Sequence, residues 1–197
     1  MLCFAAICAP ADAQVATQVA NVAERVLKVP VKFDDMYRKT IAREITVTVF
    51  EAPGRAPYPL MLVSHGRPAD NAGRHNFGRT RYSEASRYFA SLGYSVWVPT
   101  RVGYGVSGSD ADPENSGACG SKVYPPAYAA ATEQVLQVID YAKRLPEIDG
   151  TRIVSVGQSF GGATSIALAA RTPPGLLAAL AAAGGGGGEP ALRAGEP

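Results

Sequence analysis

The run IVSVGQSFGGATSIALAA, residues 153–170, decides the fold. Its first half is β-branched and apolar, its second half is rich in alanine, and a serine sits between small residues where the two meet. A buried strand passing straight into a helix has this pattern. Gly157-Gln158-Ser159-Phe160-Gly161 fits G-x-S-x-G, the strand-to-helix turn that lifts a serine hydroxyl clear of a sheet. The spacing has a steric cause: strand and helix backbones pass closely there, so the positions two before and two after the serine must be small. The turn also aims the next backbone N–H, that of Phe160, at a developing oxyanion. The helix N-terminus adds a favourable potential for negative charge. A glycine-rich structural turn is the plainer reading. The flanking strand and helix favour the nucleophile.

Working outward, PLMLVSHG (59–66) is a continuous apolar run ending in glycine, as a central parallel strand is. YSVWVP (94–99) is a second buried strand, and REITVTVFEA (43–52) alternates through Ile45, Val47 and Val49 as a half-buried one. Between them, GRTRYSEASRYFASLG predicts a helix with Tyr82, Ala85 and Phe89 on one face and Gly93 as its stop. AYAAATEQVLQVIDYAKRL predicts the longest helix, with Tyr128, Ala131, Val135, Val138, Ala142 and Leu145 inward and Pro146 beyond its end. A helix is expected from Phe160 to Ala170, and GLLAALAAA is one more strand or a weak helix. Residues 14–31 read as a surface lead-in. Repeated strand–helix units predict an α/β fold with a mostly parallel sheet and helices on both faces.

The chain of 197 residues has a formal net charge of +2 and is 47% hydrophobic. That is one domain's length with enough apolar residues for a core. Its basic residues are scattered, which argues against nucleic acid and an acidic membrane surface as partners. The apolar run 2–9 is too short to span a bilayer. With ADA at 11–13 it reads as a secretory signal over residues 1–13, and so predicts a secreted or periplasmic protein, although no basic residue precedes Arg25. A lipoprotein anchor at Cys8 is disfavoured by the bulky Ile7. Cleavage would leave Cys119 as a lone structural thiol, with no intrachain disulfide. Residues 186–197 are a low-complexity tail, which leaves 14–185 for the folded domain.

Two further segments bear on chemistry. The loop after the first central strand, SHGRP, offers the N–H of Gly66 or Arg67 as a second oxyanion donor. His65 reads as a histidine that fixes this turn by hydrogen bonds rather than as a general base. The bent segment PTRVGYGVSG (99–108) lies where ligands bind in open α/β sheets. Arg101 and Tyr104 are candidate substrate contacts there, or else Arg101 is tied to a carboxylate and Tyr104 packs.

Taken in order, PYPLMLVSHG, GYSVWVPTRVGYGVSGS and VGQSFGGATSIALAA resemble the α/β-hydrolase superfamily, most closely its dienelactone hydrolase and prolyl-oligopeptidase-like branch. The resemblance implies an α/β-hydrolase fold, hydrolysis of small acyl substrates through an acyl-enzyme on Ser159, and no metal or organic cofactor. It also implies the chain order Ser, then Asp or Glu, then His. Here no histidine follows Ser159, and the only later acids are Glu189 and Glu196. The resemblance therefore reads as the first two-thirds of such a domain, without its last strands and with little or no activity. Two alternatives stay open: an aminopeptidase or dipeptidyl peptidase-like hydrolase, and a non-catalytic binding protein that keeps the pocket without the base. Oligomeric state is not legible.

Overall fold

The computed structural model describes residues 22–35, 37–118 and 120–184. The readings of a signal at 1–13, a tail at 186–197 and a lone thiol at Cys119 lie outside the described residues. A hairpin of β1 (Ala23–Asp34) and β2 (Thr40–Glu51) comes first. Then follow β3 (Tyr58–Ser64), the short helix α1 (Asn71–His75), α2 (Ser83–Ser91) and β4 (Ser95–Thr100). A 3-10 turn (Gly105–Ser107), α3 (Tyr124–Ala142), β5 (Ile148–Gln158), α4 (Phe160–Ala170) and β6 (Leu176–Ala182) complete the order.

The six strands form one sheet in the order β1-β2-β4-β3-β5-β6. The hairpin and the β2–β4 pair are antiparallel, and β4, β3, β5 and β6 run parallel. The sheet is thus mixed, with a parallel half that carries the strand–helix turns. Alternation along the strands divides the core. Ile45, Val47, Val49, Leu60, Leu62, Trp97 and Ile153 face α3 and α4, where Val135, Val138, Ile139 and Leu168 meet them. Phe50, Met61, Val96 and Val98 face the other way, toward Ala90 of α2. Helices on both faces follow from this two-sided burial.

Three local expectations are corrected. Residues 23–34 are a strand, not part of a surface lead-in. Val29, Val31 and Phe33 point inward while Lys28, Pro30 and Lys32 point out. Pro30 is tolerated because β1 is an edge strand, whose outer side needs no N–H. In α2 the buried residues are Ser86, Ala90 and Ser91, not Tyr82 and Ala85. Tyr82 is left-handed (φ 46°) and caps the helix, so counting the face from it rotates the pattern. The longest helix begins at Tyr124 rather than Ala127, with prolines in its first turn. Proline suits that turn because its missing N–H would have had no intrahelical partner.

Candidate active site

Three strand ends meet at one place. β5 ends on Gln158 and passes without a loop into α4 at Phe160. The residue between them, Ser159, has φ 54° and ψ −123°, a conformation that costs a non-glycine residue about 1–3 kcal/mol. The surrounding backbone holds it there. The Ser159 N–H donates to Ala182 O at the end of β6 (2.9 Å), and its carbonyl accepts from Gly162 N–H (2.8 Å).

The glycines of the motif are required by backbone contact. A Cβ on Gly157 would lie 1.9 Å from Gly161 O, and a Cβ on Gly161 would lie 2.1 Å from Ser64 O. The close packing also brings the β3 loop onto the serine: the Cβ position of Gly66 is 3.2 Å from Ser159 Cβ. A cleft of about 230 Å³ opens at this contact, lined by Gly66, Arg67, Pro68, Phe77, Tyr82, Gln158 and Ser159. Ser159, Gly66 and Arg67, separately expected from the sequence, are therefore neighbours. Phe160 begins α4, and its N–H is among the first four helix donors, which have no intrahelical acceptor. Its ring is buried against Tyr128.

Arg101 and Tyr104 stand elsewhere. Both are 0% exposed and neither lines the cleft. Of the two readings of this segment, substrate contact or internal tie, the geometry has the second: both belong to a buried polar cluster rather than to the cleft wall. Arg101 forms an ion pair with Glu114, also 0% exposed, and Arg101 Nη2 donates to His65 O (2.9 Å). The Tyr104 hydroxyl donates to the same carboxylate. Burial, and after it the Glu114 charge, pushes the Tyr104 phenol far above its ordinary value, so it stays a donor. Arg67 is held as well: its guanidinium makes two 2.7 Å bonds to Asp112. The acids Asp112 and Glu114 escaped the sequence reading. An arginine in an apolar context needs a buried counter-charge, and the DADPEN segment was the signal for one. Phe77, Tyr82 and Gln158 gave no local signal, because chain folding alone brings them to Ser159.

This cluster gives a stability prediction. Removing one partner of a buried pair leaves an uncompensated charge, at a cost of about 3–5 kcal/mol. Glu114→Ala should lower the urea midpoint by a large fraction of its value. Replacing both partners, as Arg101→Met with Glu114→Leu, should recover most of the loss. Equal midpoints for wild type and Glu114→Ala would contradict the buried pairing.

His65 is also 0% exposed, packed between Phe77 and Tyr104. Its Nε2 accepts from the Arg101 N–H (3.1 Å), so Nδ1 carries the proton and donates to Gly66 O (2.7 Å). Both ring nitrogens are used and the ring is neutral. Burial, then the Arg101 charge, holds its pKa well below the ordinary value, against a smaller opposing effect of the Gly66 bond. It has no free lone pair with which to take a proton from Ser159. The other histidine, His75, is exposed on α1 with Nδ1 on Asn71 O (2.7 Å). Neither histidine lines the cleft.

The sign of the His65 effect on stability follows. Below the ordinary imidazole value of about 6.5 the unfolded chain binds a proton that the folded chain refuses. Its contribution is therefore complete above that pH, and is lost as pH falls toward the folded value, by up to about 1.4 kcal/mol per unit. Urea midpoints should drop between pH 7 and pH 5.5, and by less in His65→Asn. Identical pH slopes for the two proteins would refute this.

Among the described residues no group of three or more His, Cys, Asp or Glu is placed to hold a metal, and no helix is long and apolar enough to cross a membrane.

Residues 70–194 match the model of the dienelactone hydrolase family. No curated protein matches the chain. Among solved structures, a candidate dienelactone hydrolase from Klebsiella pneumoniae superposes with TM-score 0.53 at 19% identity. The match covers 84% of this chain and 62% of that one. A dienelactone hydrolase-like promiscuous phosphotriesterase from metagenomic libraries gives TM-score 0.54 at 21% identity, covering 83% and 60%. Acylaminoacyl peptidase from Pyrococcus horikoshii gives 0.55 at 16%, covering 81% and 23%. The chain thus spans less than two-thirds of the length of each, and at these identities the likeness shows the fold alone: that of the α/β-hydrolases.

Proposed function

The chain belongs to the dienelactone hydrolase family, and from that premise we propose that it is a serine hydrolase of carboxylic esters or related acyl compounds, with Ser159 as nucleophile. The observation that carries this is the backbone of Ser159. A serine that lines a cleft is held at φ 54° on a strand-to-helix turn, a conformation that costs a non-glycine residue about 1–3 kcal/mol and is typical of functional sites. In the proposed reaction Ser159 Oγ bonds to the acyl carbon as its proton passes to a water molecule, which delivers a proton to the departing alcohol oxygen. The N–H groups of Phe160 and of the Gly66–Arg67 loop receive the oxyanion. The C–O bond to the alcohol then breaks, the alcohol leaves with a proton, and water hydrolyses the acyl-serine.

The cleft also bears on substrate. Its one cationic side chain, Arg67, is already paired with Asp112, while Phe77, Tyr82 and Pro68 supply apolar walls. We propose small, uncharged acyl groups as the preferred class. A serine hydroxyl is a weak nucleophile until a neighbour takes its proton, and neither histidine of this chain is placed to do so.

The test is covalent. A neutral fluorophosphonate should add to the folded protein, with fluoride leaving as Ser159 Oγ bonds phosphorus, and peptide mapping should place the adduct on Ser159. Folded protein that takes no label, or takes it elsewhere, would overturn the serine-nucleophile reading and favour a non-catalytic binding protein.

A further inference from the structure

His65 sits one residue from the oxyanion loop, is wholly buried, and is too fully hydrogen-bonded to act as a base. Its bonds have a directional consequence. Gly66 C=O points at His65 Nδ1 (2.7 Å), and His65 C=O points at Arg101 Nη2 (2.9 Å). A peptide unit is planar and trans, so its N–H points opposite to its C=O. With both carbonyls drawn into the buried cluster, the two N–H groups of these peptides, on Gly66 and Arg67, turn away from it. Gly66 and Arg67 line the cleft beside Ser159, whereas His65 does not. The Arg67 N–H belongs to the peptide whose carbonyl the imidazole holds.

We propose that His65 is a positioning residue. Its Nδ1–H fixes the Gly66–Arg67 peptide so that the Arg67 N–H, and not the Gly66 carbonyl, faces the acyl oxygen above Ser159. The proposal rests on Ser159 being the nucleophile. A flipped peptide would present a carbonyl oxygen where the oxyanion forms, replacing attraction by repulsion. The second ring nitrogen ties this peptide to the β4 end through the Arg101 N–H, whose own side chain is held by Glu114. The oxyanion loop, the β4 end and the loop bearing Glu114 thus form one rigid unit around a single neutral tautomer.

Two substitutions separate the ring's two roles. Asparagine places an amide N–H near the position of Nδ1 and can hold Gly66 O. Glutamine reaches the position of Nε2 and can meet the Arg101 N–H, but leaves Gly66 O without its donor. In His65→Gln the maximal rate of fluorophosphonate labelling should fall by about 100-fold, the loss expected for one oxyanion donor, with little change in the half-saturating concentration. His65→Asn should recover most of that rate. A merely structural role would move both variants together with their melting temperatures. Crystal structures of the two variants give a readout independent of labelling: the Gly66 carbonyl should keep its inward direction with asparagine and turn with glutamine. An unturned carbonyl in His65→Gln, or equal labelling rates in the two folded variants, would overturn the proposal. Wild-type protein that takes no label would instead refute the nucleophile reading, and the carbonyl directions would still decide the role of His65.

Discussion

Ser159→Ala should abolish covalent labelling by a neutral fluorophosphonate while leaving the protein folded. The loss is complete because the bond to phosphorus is made by the deleted oxygen. Ser159 is only partly buried and caps α4 with no side-chain hydrogen bond, so removing the hydroxyl disturbs little packing. Ser159→Gly should go further. Glycine adopts φ 54° and ψ −123° without a Cβ penalty, which relieves about 1–3 kcal/mol of strain. It also gives the unfolded chain more freedom, which returns about 0.5–1 kcal/mol. The net expectation is a gain of about 1 kcal/mol, or about 2–4 °C in melting temperature for a chain of this size. A variant without its candidate nucleophile that is more stable than wild type marks a site where stability is given up for chemistry. Labelling that persists in Ser159→Ala would refute the assignment. A Ser159→Gly protein that melts well below wild type would refute the strain argument.

How much of this was legible in the sequence depends on how local each feature is. The turn at Ser159 and the helix from Phe160 to Ala170 were read correctly because strand, glycines and helix are contiguous, and their steric logic is local. The central strands read at 59–66 and 94–99, which are Tyr58–Ser64 and Ser95–Thr100 in the fold, were legible because burial on both faces leaves a continuous apolar run. β1 was missed because lysines and a proline fill its outer face, and only pairing with β2 shows which face is inward. The inward face of α2 was misassigned because Tyr82 adopts a left-handed conformation that no periodicity records. At the site, Ser159 and the Gly66–Arg67 loop came from motifs. The Arg101–Glu114 pair and the cleft residues Phe77 and Tyr82 did not. Phe77 and Tyr82 reach Ser159 only through the long-range fold; Glu114 lies in the same irregular loop that follows Arg101, where no periodicity marks the pairing, and Arg101 reads from sequence alone as readily as a ligand contact as a buried cation.

Gly161→Ala should be a severely damaging single-methyl change. The added Cβ would sit 2.1 Å from Ser64 O, 2.5 Å from Ser64 C and 2.6 Å from His65 O. All three are backbone atoms of the strand end and loop that present Gly66 to Ser159, so no side-chain rotation relieves the clash. Ordinary overpacking costs about 1–3 kcal/mol because side chains shift. Here α4 must instead be levered off β3, and a loss on the order of 5 kcal/mol is expected, comparable to the whole stability of many domains. Gly120 supplies the control: its Cβ position has nothing within 4 Å, so Gly120→Ala should stay within about 0.5 kcal/mol of wild type. Chemical denaturation separates the cases, with Gly161→Ala unfolded or sharply lowered in midpoint and Gly120→Ala unchanged. If enough Gly161→Ala folds to be labelled, its labelling rate should fall more than the folded fraction does. The methyl pushes on the backbone that carries the second oxyanion donor, so displacing the helix and misplacing the donor are one event. Near-wild-type stability and labelling in Gly161→Ala would show that the helix and the oxyanion loop are not in the contact on which both the fold of the turn and the proposed chemistry depend.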